Sequence, residues 1–139
     1  MKTKYKILPY LLLLSSFIFC QDFTIARIHY SGGGDWYSDP SSLPNLLKYL
    51  DENSLISVNS EEARVKPADH EFFQYPYLYL TGHGNIRFSE NDRDRLRKTL
   101  LRGAFLHADD NYGMDASFRE EMKHIFPERE LVEIPHEHP

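Results

Sequence analysis

Cysteine is almost absent from this chain of 139 residues: Cys20 is the only one, and it stands at the end of the N-terminal apolar run. Beyond it there is no thiol for a disulfide, a thiolate zinc site or nucleophilic catalysis. A run long enough to cross a bilayer is also lacking. Ile7 to Phe19 are thirteen uncharged positions, whereas a hydrocarbon core of about 30 Å asks for roughly 20. Positive charge is scarce, with 16 Lys and Arg against 21 Asp and Glu. An acidic domain repels a phosphate backbone, so nucleic acid is excluded as an expected partner. Internal repeats, coiled-coil heptads and low-complexity tracts are missing, as are a GxGxxG turn and a P-loop lysine.

Lys2, Lys4 and Lys6 precede the apolar run. A basic start followed by a short apolar core is the pattern of a secretory signal peptide. The expectation is a signal over residues 1–20, cut near Cys20–Gln21, and one α/β domain over residues 22–139. Two alternatives stand beside it: an uncleaved anchor through residues 7–19, and acylation of Cys20. Membrane contact is expected through this segment alone, and the location is periplasmic or extracellular. Removing residues 1–20 deletes three lysines and no acid, so the net charge of −5 becomes −8. The remainder is long enough to bury a small core.

Strand and helix patterns then alternate. FTIARIHY at 23–30 has strand composition and ends at Ser31-Gly32-Gly33-Gly34. Leu43, Leu46, Leu47 and Leu50 recur at helical spacing. Residues 55–58 (LISV) predict a short strand, and Ala68 to Phe72 a helical turn. YLYLT at 77–81 predicts a buried strand, closed by Gly82-His83-Gly84. Ser89 and Asp92 form a capping pattern for a helix that Gly103 ends. AFLHA at 104–108 predicts a strand. Asp115 opens a helix with Phe118, Met122 and Ile125 on one face, and Pro127 closes it. LVEI at 131–134 predicts a fifth strand. Alternation of this kind predicts a parallel sheet covered on both faces.

Ligands gather at the carboxyl ends of parallel strands. Four polar clusters are expected on that rim. Gly32, Gly33 and Gly34, with Asp35 and Trp36, offer backbone to a ligand, or are simply a turn with Trp36 packed beneath it. Gly82, His83 and Gly84 give a histidine room to act as acid, base or metal ligand, or to bond a neighbouring loop. His107, Asp109 and Asp110 suit an acid/base pair or a divalent metal, or else the carboxylates cap backbone amides. His136-Glu137-His138 is a chelate in extended geometry, or a loose end. A metal set of His107, Asp109 and His138 follows if these loops converge. His29, His70 and His124 are read as surface or packing residues.

The stretches GGGDWY, LPNLLKYL, YLYLTGHG, LRGAFLHADD and HEHP, in this order, resemble the bacterial family called domain of unknown function 4159. That family is similar to class I glutamine amidotransferase-like domains, above all those of the trehalose-utilisation (ThuA-like) type. The resemblance implies a flavodoxin-like three-layer sandwich and an exported or membrane-attached protein. It sets His107 to Asp110 where an amidotransferase carries its cysteine elbow. With neither cysteine nor serine there, no acyl intermediate forms by that route. It makes His107 and His138-Pro139 counterparts of ThuA-like positions, and it implies several tens of further residues that would complete the sheet. The expected function is a non-catalytic envelope module that binds a small molecule or a partner protein. The alternative is a metal-assisted hydrolase or isomerase acting on a carbohydrate-type ligand through His83, His107, Asp109 and Asp110, with a divalent metal as its cofactor.

Overall fold

The stretch YLYLTGH is apolar on both sides, so it forms a strand that must be covered twice. In the computed structural model, which describes residues 22–138, it is β3, Tyr77–His83, with Leu78 to Gly82 buried. Three strands join it: β1 at Ala26–Ile28, β2 at Ala63–Val65 and β4 at Phe105–Tyr112. All pairings are parallel, and the order is β2-β1-β3-β4. This is the doubly wound, flavodoxin-like order, whose switch point lies between β1 and β3.

One face is covered by α1, Ser42–Asn53, whose Leu43 and Leu47 pack with Ile25 and Tyr79. The other is covered by α2, Glu90–Leu101, and α3, Asp115–Ile125, with a 3-10 helix at His70–Gln74. Phe72, Leu78, Leu80, Leu96 and Ile125 form the larger core there. Each such side chain taken fully out of water contributes about 1.5–3 kcal/mol. Ser89 and Asp92 form the expected capping box on α2, the Ser89 hydroxyl accepting from the Asp92 amide at 3.2 Å. Buried Glu121 ties α3 to α2 through Arg93, at 2.7 and 2.8 Å.

Five elements differ from the sequence patterns. The second strand is not LISV: Val58 makes only a single bridge to Phe23, and Leu55 and Ile56 are exposed. The strand is ARV at 63–65, half-exposed at its start because β2 is the sheet edge. β4 runs four residues past Ala108, to Tyr112. Asp115 is the first residue of α3 rather than its cap. LVEI forms no strand, and Val132 and Ile134 stay exposed, so β4 is the second edge. The turn expected at Ala68 to Phe72 appears two residues later as the 3-10 helix. The expected export segment and Cys20 lie outside the described residues, among which no helix is long and apolar enough to cross a membrane.

Candidate functional site

β1 leaves the sheet at Ile28 and β3 leaves it at His83, so their following loops meet over the switch point. The loops zip together: Arg87 donates to the Ser31 carbonyl at 2.6 Å and Gly34 to the Asn85 carbonyl at 3.0 Å. Close approach demands glycine at three places, the first being Gly32, where a Cβ would lie 2.7 Å from the Arg87 backbone nitrogen. A Cβ on Gly82 would lie 2.3 Å from the Tyr30 hydroxyl, and one on Gly34 would lie 2.7 Å from the same atom. Tyr30 is buried, and its hydroxyl donates to the Thr81 carbonyl at 3.0 Å. The glycine run therefore serves packing at Gly32 and Gly34, while Gly33 and Gly84 face open space.

Zipping the loops brings Asp35 onto His83, 48 residues away. One carboxylate oxygen accepts from the His83 backbone N–H, and the other lies 2.9 Å from its Nδ1. The backbone N–H of His83 is the first cause that holds the Asp35 carboxyl below the usual carboxylate range. An ionised carboxylate can only accept, so Nδ1 carries the proton. In the neutral ring Nε2 then keeps its lone pair, and it takes no hydrogen bond from the described residues. The His83 side chain is 55% exposed and the Asp35 side chain 31% exposed, so the pair is open to a ligand.

The other expected site residues go elsewhere. His107 sits opposite Tyr79, four residues below His83 along the sheet, about 13 Å at 3.3 Å per residue. Its Nδ1 meets the Tyr77 hydroxyl at 3.0 Å. Asp109 accepts from the Tyr79 hydroxyl at 2.8 Å. Asp110 takes the Met114 and Asp115 amides at 2.9 and 3.0 Å, capping α3. The stretch from His107 to Asp110 is thus mid-strand, not an elbow, because β4 continues to Tyr112. Trp36 stacks on His29, with ring centres 4.1 Å apart, and packs against the core. Burial is the main cause that lowers the His29 pKa. His138 lies in an exposed terminal turn. No group of three His, Cys, Asp or Glu among the described residues lies close enough to hold a metal ion. The set of His107, Asp109 and His138 therefore does not assemble.

A larger apolar groove, about 520 Å³, lies between the C-terminal ends of α2 and α3, lined by Leu101, Met122, Phe126 and Leu131. It is at the opposite end of the sheet from His83.

Fold and site together define a doubly wound α/β domain with a histidine–aspartate pair at its switch point. Residues 24–139 match the family model described as a domain of unknown function (DUF4159), and the chain belongs to that family. No curated protein matches it.

Proposed function

We propose that this chain is an exported domain of the cell envelope that binds a small polar ligand over the β1/β3 switch point. One observation carries the reading: Asp35 orders the His83 ring so that Nε2 is left as an open acceptor. Such an acceptor suits a ligand that presents a hydroxyl or amide N–H. The class of fold favours the same crevice. The strand order also supports kinship with amidotransferase-like domains, as a relative that keeps a cleft without the cysteine.

A catalytic reading is favoured by the same pair. A carboxylate behind a histidine is the arrangement of a general base, and a hydroxyl on the ligand would supply the proton to be moved. Binding is preferred because no cysteine occurs among the described residues and because His107, Asp109 and Asp110 are engaged by Tyr77, Tyr79 and α3.

The test is a thermal-shift screen of monosaccharides and short carboxylic acids on wild type and His83→Ala, with Zn²⁺, Mn²⁺ and EDTA as further arms. A ligand present at a hundred times its Kd adds about 2.7 kcal/mol. The expected result is stabilisation by a hydroxyl-bearing compound that His83→Ala abolishes. Stabilisation by Zn²⁺ or Mn²⁺ that EDTA reverses and Asp35→Asn removes would replace binding by the metal-assisted reading. Export is tested separately: N-terminal sequencing of the secreted protein is expected to begin at Gln21.

A further inference from the structure

Asp35 reaches His83 from a loop, and loops do not hold a carboxylate still by themselves. Beneath this loop lies Arg27, in the middle of β1, with a side chain 1% exposed. Its guanidinium has five N–H groups in a rigid fork, and all five meet acceptors. Nε and Nη2 grip the Glu62 carboxylate at 2.9 and 3.0 Å. Nη1 donates to the Ser38 carbonyl at 2.8 Å and the Trp36 carbonyl at 3.4 Å. Nη2 also reaches the Asp39 carbonyl at 3.3 Å and the Ser42 hydroxyl at 3.4 Å. Four successive points of the chain between Trp36 and the first residue of α1 thus hang on one buried group.

The same segment is tied to Asp35 and to β4. The Ser38 amide donates to the Asp35 carbonyl at 2.8 Å, and Asn111 donates to the Ser38 hydroxyl at 3.1 Å. Glu62, itself 3% exposed, neutralises Arg27, while Tyr79 lies under the guanidinium with 5.4 Å to its ring centre. A hydrophobic pair would fill this volume without the cost of burying charge. A planar fork is what the loop carbonyls need.

We infer that Arg27 is the positioning residue of the site: with Glu62 it fixes the Trp36–Ser42 loop and thereby holds Asp35 against His83. The inference rests on reading Asp35 and His83 as the site. It assigns Arg27 no contact with ligand.

Nitrogen-edited NMR of the histidine side chains, recorded above the ordinary histidine pKa of about 6.5, reads which His83 nitrogen carries the proton. Wild type is expected to show the Nδ1–H form. Arg27→Lys keeps the charge but loses the fork, and its Nδ1–H fraction is expected to fall by at least a factor of about two. Glu121→Gln loosens the α2/α3 contact instead and is expected to leave His83 unchanged. Unchanged His83 in folded Arg27→Lys overturns the inference, as does an equal change in Glu121→Gln, which would mean general loosening. If Arg27→Lys does not fold, Glu62→Gln takes its place, with the same expectation and the same overturning result. Asp35→Ala, which removes the acceptor, separates the two claims. If it leaves the Nδ1–H form intact, the Asp35–His83 pairing itself fails. If it abolishes that form while Arg27→Lys preserves it, only the positioning role fails.

Discussion

Gly82 and Gly84 flank the same histidine and differ in what a methyl group would meet. At Gly82 a Cβ collides with the Tyr30 hydroxyl at 2.3 Å and presses on the Asp35 carbonyl at 3.0 Å, where φ is +144°. At Gly84, with φ +81°, it meets nothing within 4 Å. Gly84→Ala therefore bears backbone strain alone, about 1–2 kcal/mol. Gly82→Ala adds overpacking against a buried hydroxyl, about 1–3 kcal/mol more. Urea unfolding of both variants is expected to rank them in that order, with His83 Nδ1 losing Asp35 only in Gly82→Ala. Equal midpoints would show that the Tyr30 hydroxyl yields, and that the two loops are not tightly zipped. Tyr30 thus sets the glycine requirement at Gly82, a strand end far along the chain.

At the scale of elements, β4 and α3 explain why polar residues cluster at 107–111 without forming a catalytic group. Asp110 accepts two amides at the start of α3, whose own flanking residue Met114 gives no side-chain cap. Asp110→Ala is expected to cost about 1 kcal/mol of stability, measured by chemical denaturation, with the His83 signals unmoved. A loss of ligand binding without a loss of stability would return Asp110 to the site. Charged residues on an exposed edge strand also oppose edge-to-edge association, which gives Asp109 a physical role on β4. Elements with a local signal were legible in the sequence. The capping box at Ser89 and Asp92, the leucines of α1 and the apolar run of β3 each contain their own cause. β2 was not legible, since ARV has one apolar side chain that needs burying, Val65, and is selected by pairing with β1. LVEI shows the converse: strand composition makes no strand where no pairing forms. The pairing of Asp35 with His83 was half legible, because the rim rule named both residues while their contact depends on loops zipped by backbone bonds and a buried tyrosine.

For the molecule as a whole, these local shifts set a stability window in pH. His29 has its pKa lowered, first by burial and then by Lys66. The folded state therefore prefers neutral imidazole, and stability falls as pH drops below the unfolded value of about 6.5. Asp35, lowered by the His83 amide, adds a further loss as pH falls below about 3.9 and through its depressed folded value. Tyr30 works at the other end. Burial, and then the charge of Asp35, push its hydroxyl up to about 12. Its contribution is complete below the unfolded value of about 10 and disappears as pH climbs from there toward the folded value. At about 1.4 kcal/mol per decade this comes to about 2–3 kcal/mol. Tyr77 and Tyr79, both raised chiefly by burial, add to it in the same direction. Urea midpoints across pH are thus expected to form a plateau between the histidine and tyrosine ranges. Tyr30→Phe is expected to lower that plateau by about 1 kcal/mol, the net value of one buried hydrogen bond, and to flatten the alkaline limb. Asp35→Asn removes the second cause of the Tyr30 shift, so it should bring the upper end of the alkaline loss down toward the free-tyrosine range and make the loss smaller. An alkaline limb that keeps its full steepness in Tyr30→Phe would shift the weight to Tyr77 and Tyr79 and uncouple the zipped loops from global stability.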